Sequence, residues 1–231
     1  MKSQLVSKKF IFENAESFIF EPETPINRQA GQYLHYVLSH HEPDDRGEER
    51  WFTISATPFE KHIMMTTRFT VPGGSSFKKA LRAMKIGDFI EGDTPEGDFI
   101  IDTKAKKHIL IAGGIGITPY RAMLLQLDHG GQDINADLLY ANRDENFVFD
   151  DELAKLAQKH PNFNIYKFIG DKRIEKSDLI KCVDDKATIF YLSGPKAMVG
   201  AYEQILADLG VKLDRIKTDF FPGYGTYGLD N

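Results

Sequence analysis

Cysteine is nearly absent from this sequence: Cys182 is the only one in 231 residues. One thiol excludes an internal disulfide. It also excludes a four-thiolate iron–sulfur or zinc centre built by this chain alone. Long apolar runs are missing too. No stretch approaches the ~18 uncharged apolar residues of a membrane helix. The start, MKSQLVSKKF, has basic residues without an apolar segment behind them, so no secretory signal is expected. Nor is positive charge in excess. Lys and Arg number 29 against 34 Asp and Glu, a formal net charge of −5. A dedicated nucleic-acid binder shows the opposite imbalance. These absences predict a soluble cytoplasmic protein with no transmembrane segment, no nucleic-acid partner and no metal centre.

What is present reads as a globular chain, 42% hydrophobic and 27% charged. At ~150 residues per domain its length lies between one domain and two. The halves differ in pattern. Residues 1–101 show short apolar runs split by turn signals: Phe10–Phe12, Phe18–Phe20, Gln32–Leu38, Trp51–Ser55 and His62–Phe69. Such spacing predicts a β-barrel or sandwich. One helix interrupts it, with Phe77, Ala80, Leu81 and Met84 at helical spacing. Its other face carries Lys78, Lys79, Arg82 and Lys85. A solvated surface is the favoured reading of that face, ahead of a docking patch for an acidic partner.

From His108 the pattern becomes strand–helix alternation: strands at 108–112, 137–141, 163–168, 188–192 and 214–218, helices at 118–127, 150–158, 176–183 and 195–209. Alternation of this kind predicts a parallel, doubly wound sheet. The polar segment Asp102–Lys107 separates the halves, giving domains 1–101 and 102–231.

Three helix starts suit an anion. In the first half, Gly73-Gly74-Ser75-Ser76 opens the amphipathic helix; its hydroxyls and free N–H groups suit a phosphate. In the second half, Gly113-Gly114-Ile115-Gly116-Ile117-Thr118-Pro119 follows an apolar strand. The glycines permit close approach to a pyrophosphate, Thr118 is placed as an N-cap, and Pro119 is harmless in a first turn. This is not the standard dinucleotide fingerprint, because Pro119 stands at the third glycine position. Ser193-Gly194-Pro195 is a third turn of the same kind. Upstream, Arg50-Trp51-Phe52-Thr53 alternates a guanidinium, aromatics and a hydroxyl. The two-residue period lets Arg50 and Phe52 share a face, able to hold a phosphate and stack a planar ring. From the strand alone, a core Phe beside a surface Arg is favoured.

In this order, Arg50-x-Phe52-Thr53, Gly73-x-x-Ser76, Gly113-Gly114-x-Gly116-x-Thr118-Pro119 and Ser193-Gly194-Pro195 resemble the ferredoxin–NADP+ reductase family of flavoproteins. Gly31-Gln32-Tyr33, Gly87-Asp88, Gly92–Gly97 and Lys217–Tyr224 extend the resemblance over nearly the whole chain. It implies a six-stranded antiparallel FAD barrel followed by a nicotinamide-nucleotide domain. By carry-over, Arg50, Gly73, Gly74, Ser75 and Ser76 would bind the FAD pyrophosphate. Phe52, with Trp51 beside it, would lie against the flavin, and Thr53 near its N5. Gly113, Gly114, Gly116, Thr118 and Pro119 would face NADPH or NADH. Ser193, with Gly194 and Pro195, would face the nicotinamide, with Asp219 at the same strand ends. Phe221 would cover the flavin. The departures are Phe52 for a common tyrosine, Ser193 for a cysteine and Asp219 for a longer acid.

The expected activity is hydride transfer from NAD(P)H to FAD, with Thr53, Ser193, Asp219 and Phe221 at the reacting rings. Arg143 points to NADPH, while Asp144-Glu145 points to NADH; Lys172-Arg173 tips the expectation slightly to NADPH. With one cysteine, no iron–sulfur domain is expected here, so the acceptor is external. It is either a protein such as ferredoxin or flavodoxin, or a free flavin, ferric chelate or quinone. A regulatory flavoprotein with little turnover is the alternative from another class.

Overall fold

The computed structural model describes residues 1–70, 73–183 and 185–219. They fall in two compact units, Met1–Ile100 and the chain from Ile101 onward.

The first unit has β1 (Lys2–Phe12), β2 (Ala15–Pro22), β3 (Tyr33–Val37), β4 (Glu49–Thr53), β5 (Ile63–Arg68) and β6 (Phe89–Gly92). Their order is β4-β3-β6-β1-β2-β5, with antiparallel neighbours. Just past β4, the Ser55 N–H donates to Met64 O of β5 at 2.8 Å. The first and last strands of the order therefore meet, and the sheet curls into a barrel. Leu5, Phe18, Phe20, Leu34 and Met65 fill it with no exposed surface. Leu5 pairs with Phe20 and Phe18 with Met65, so the members of each pair share one face. Helix α1 (Ser76–Ala83) buries Phe77 and Leu81 completely.

Strand β1 begins at Lys2 rather than near Phe10. Its early inward residues are Ser3 and Leu5, so no apolar run marks it. Register shifts between Leu5 and Ser7 and between Phe10 and Phe12 then break the alternation, and Phe10 ends 71% exposed. The basic face of α1 departs from a solvated surface. Lys78 Nζ donates to Arg68 O at 2.9 Å, and Arg82 Nε donates to Glu16 Oε1 at 2.7 Å. Two of its four cations are thus spent inside the unit, which also thins the docking patch.

The second unit has β7 (Lys107–Gly113), β8 (Ala136–Asn142), β9 (Phe163–Ile169), β10 (Thr188–Ser193) and β11 (Ile216–Thr218), all parallel, in the order β11-β10-β7-β8-β9. Between them run α2 (Thr118–His129), α3 (Asp150–Lys159), α4 (Lys176–Ile180) and α5 (Lys196–Asp208). Asp150, Asp151 and Glu152 in the first turn of α3 suit the positive end of its dipole. One core joins Ile109, Ile111, Leu139, Phe190 and Leu192 of the sheet to Leu179, Tyr202 and Leu206 of α4 and α5. The expected strand at 214–218 is shorter. A 3₁₀ turn at Leu213–Arg215 takes its first residues, and Arg215 Nε donates to Thr188 O at 2.9 Å.

The order decides where a ligand can lie. The chain winds outward from β7 through β8 and β9, then returns to start β10 on the other side of β7. The C-terminal ends of β7 and β10 therefore flank the topological switch point. No helix among the described residues is long and apolar enough to cross a membrane.

Leu206→Ala, at a site with no exposed surface, should destabilise the second unit by about 2–5 kcal/mol in urea denaturation.

Candidate nucleotide-binding sites

The first site is built at the start of α1. Ser75 caps the helix, its Oγ accepting the Lys78 N–H at 3.3 Å. Gly73 and Gly74 lead in at φ 112° and 82°, a region open to glycine and strained for other residues. Arg50 of β4 is buried, its side chain only 6% exposed, which corrects the expected surface Arg. Its guanidinium lies 5.6 Å from the Phe77 ring centroid, and the Phe52 ring lies 5.8 Å from the same centroid. Arg50 and Phe52 thus share one face, as a strand's alternation requires. Trp51 faces the other way, tilted against His35 at 4.5 Å, so the structure does not bring it to Arg50 and Phe52. Thr53 ends β4 opposite Tyr33 and is buried.

Arg50 holds its loop by donating to Arg46 O at 2.7 Å and Gly47 O at 3.2 Å. It also donates to Asp44 Oδ1 at 3.1 Å. The other oxygen, Asp44 Oδ2, accepts the Ser76 N–H at 2.8 Å. A buried guanidinium and the first N–H of a helix thus converge on one carboxylate. Burial opposes its charge, but N–H groups of Ser76 and Arg46 and the cations Arg46 and Arg50 hold Asp44 down at about 2. Lys78 stands in the same field. Burial first, then Arg46 and Arg50, lower its ammonium to about 8. Two guanidiniums and a helix N-terminus meet at this one carboxylate, an arrangement that fits an anionic ligand.

Asp44 had no sequence signal. It lies in a polar loop, and its partner Ser76 is 32 residues away.

The second site lies at the ends of β7 and β10. There the backbones nearly touch. A Cβ on Gly116 would collide with the Ser193 carbonyl, and one on Gly113 with the Met198 side chain. One on Gly194 would come 3.0 Å from Gly113 Cα. Gly116 is therefore required by loop-on-loop packing, whatever it binds, while Gly194 is in tight backbone contact and Gly113 meets a side-chain end that can shift. Gly114 differs: its φ is 54°, and a Cβ there would meet only Asn142 Oδ1 at 3.9 Å. It is the glycine of this loop with room beside it for a ligand.

Thr118 does not cap α2. A 3₁₀ turn, Gly114–Ile117, runs straight into the helix, so Thr118 is already helical and its Oγ1 donates back to Ile115 O at 3.1 Å. Pro119 sits in the first turn as expected. Pro195 immediately precedes α5. Ser193 is buried, and its Oγ donates to Asp219 Oδ2 at 2.8 Å. The Asp219 N–H donates to Leu192 O at 2.9 Å, holding the acid beside the serine. Burial pushes the Asp219 carboxyl up to about 6, against the pull of the Ser193 hydrogen bond. Phe221 lies outside the described residues.

At the outer strands, Arg143 is exposed on the loop after β8. The Gly170 N–H donates to Asn142 O at 3.0 Å, bringing the loop with exposed Lys172 and Arg173 alongside. Asp144 is turned inward: its Oδ1 accepts from Asn142 Nδ2 at 3.1 Å and from the Asn146 N–H at 2.9 Å. Asn142, which ties this loop, carried no sequence signal.

A curled six-stranded antiparallel sheet followed by a five-stranded parallel one is the fold of the ferredoxin–NADP+ reductase-like flavoprotein reductases, FAD- and nicotinamide-nucleotide-dependent oxidoreductases. Residues 110–204 match the family described as the oxidoreductase NAD-binding domain. The chain is 28% identical over 213 residues to a flavohemoprotein of Deinococcus radiodurans, covering 84% of this chain and 51% of that protein. It is 31% identical over 150 residues to the carnitine monooxygenase reductase subunit of Escherichia coli K12, covering 64% and 45%. The chain thus spans about half the length of these curated relatives. Among solved structures it resembles the flavohem-like FAD/NAD binding domain of nitric oxide dioxygenase from Vibrio cholerae O1 biovar El Tor. That match has a TM-score of 0.80 at 22% identity and covers 95% of this chain and 98% of that one.

Two outcomes test this geometry. Gly116→Ala should lower the melting temperature far more than Gly114→Ala, whose left-handed φ costs only ~1–2 kcal/mol. The Asp219 carboxyl is raised in the fold from its ordinary 3.8, so the folded state holds the extra proton between about pH 4 and 6. Its contribution to stability therefore falls as pH rises through that window. Asp219→Asn should remove the loss, gaining more over wild type at pH 7 than at pH 4 in denaturant titrations.

Proposed function

We propose that this chain is an FAD-dependent NAD(P)H oxidoreductase that passes electrons to an external acceptor. The observation that carries the reading is the convergence of buried Arg50 and the α1 N-terminus on one anion position. Arg50, Gly73, Gly74, Ser75 and Ser76 would hold the FAD diphosphate there, since a buried guanidinium and the N–H groups of a helix start match its charge. Phe52 would lie against the ring system, with Thr53 beside it at the end of β4. Trp51, on the opposite face, supports this strand through His35 instead.

In the second unit, Gly114 would admit the nicotinamide nucleotide, with Gly113, Gly116, Gly194, Pro119 and Pro195 fixing the loop walls. Thr118 would act by bracing the 3₁₀ turn. Ser193 would orient the nicotinamide and Asp219 would hold the serine. FAD, when bound, takes up a hydride and releases electrons one at a time, so no general base is required. The protein's part is alignment and exclusion of water. The nucleotide preference is NADPH. Arg143, Lys172 and Arg173 offer cations for a 2′-phosphate, while Asp144 is committed to its own loop. A protein acceptor is favoured over a small molecule, because one relative is named a reductase subunit.

Purified protein reconstituted with FAD should be yellow and bleach on stopped-flow mixing with NADPH faster than with NADH. No bleaching by either nucleotide overturns the reading. Arg143→Ala should cut the NADPH-to-NADH ratio of kcat/KM about tenfold, the factor that ~1.4 kcal/mol represents.

A further inference from the structure

We propose that Asp44 is a built-in anion in the diphosphate seat, so that a flavin nucleotide binds by displacing it. This rests on the flavin reading above. The carboxylate satisfies the same groups that a diphosphate would use. One oxygen takes the Arg50 guanidinium at 3.1 Å, the other the Ser76 N–H at 2.8 Å. Arg46 adds its backbone N–H at 3.1 Å and its guanidinium at 3.4 Å.

Two further observations favour a displaceable occupant over a permanent one. First, charge is unbalanced. Arg46, Arg50 and the positive end of α1 face one carboxylate, and both guanidiniums also act on Lys78, whose ammonium is lowered by burial first and by them second. A diphosphate carries more negative charge than one carboxylate and would balance the seat better. Second, Asp44 is carried by a loop that can leave. Its neighbours His41, Glu42, Pro43 and Asp45 are exposed, and Glu42 is held at φ 55°. A non-glycine residue in the left-handed region stores strain that withdrawal of the loop would release. Reciprocally, Ser76 Oγ accepts the Asp44 N–H at 2.9 Å, so the serine expected to hold phosphate is occupied by the same residue.

The consequence is a cofactor-free state whose cationic seat is partly neutralised from within. Asp44 stabilises the empty protein and weakens flavin binding by competing for the same donors.

The test uses flavin-free full-length protein, with folding checked by circular dichroism. Asp44→Asn keeps the side-chain shape and removes the charge; Asp44→Ala removes the acceptor as well and serves if the first variant misfolds. Isothermal titration should show FAD binding about tenfold more tightly to Asp44→Asn than to wild type, the factor that ~1.4 kcal/mol represents. Inorganic pyrophosphate should raise the melting temperature of the variant by several degrees more than that of wild type. FAD affinity unchanged or weakened in both variants overturns the proposal. So does an equal pyrophosphate shift in variant and wild type. If neither protein takes up FAD while pyrophosphate still favours the variant, the displaceable anion stands and the flavin reading fails.

Discussion

Backbone against backbone, with no side chain between, is the constraint at the switch point of the second unit. The loop after β7 and the turn after β10 approach so closely that Gly116 leaves no room for a methyl group against the Ser193 carbonyl. Much follows from that contact. It fixes where α2 and α5 begin, and so where their N–H groups point. Beside it, the pairing of β10 with β11 brings Asp219 within hydrogen-bond reach of Ser193 at 2.8 Å. The close approach also turns Gly114 outward as the position with space beside it. A glycine motif that reads as ligand chemistry is, at Gly116, packing chemistry.

The first unit solves a different problem. Its buried arginine has to be satisfied without solvent. Arg50 achieves this by spending one arm on the loop carbonyls of Arg46 and Gly47 and giving the other to Asp44, which also takes the Ser76 N–H. Phe77, buried in the barrel, supports both Arg50 and Phe52 from below. A change in the core packing of α1 would therefore be felt at the charged site, because the same ring serves both.

Some of this was legible in the sequence. The parallel sheet of the second unit could be read from β7, β8 and β10, because buried parallel strands are continuous apolar runs bounded by turn residues. The glycine loop and the Ser-Gly-Pro turn announced themselves, since glycine and proline have few reasons to cluster. Strand β1 was hidden, because its inward residues include Ser3 and register shifts interrupt its period. The role of Thr118 was misread: a threonine before proline looks like a cap, but the 3₁₀ turn in front of it had already started the helix. Lys78 and Arg82 looked like solvated charge at helical spacing, yet both find partners in the barrel.

Local pattern thus determined the class of each half, the helix starts and the residue types available at them. Those properties depend on neighbours a few residues apart, and periodicity reports them directly. Tertiary structure alone decided which groups face each other. Asp44 reaches Ser76 across 32 residues, Asn142 ties down Asp144, and Met198 closes against Gly113. Such pairings are set by how strands register and loops fold back, and no spacing along the chain encodes them.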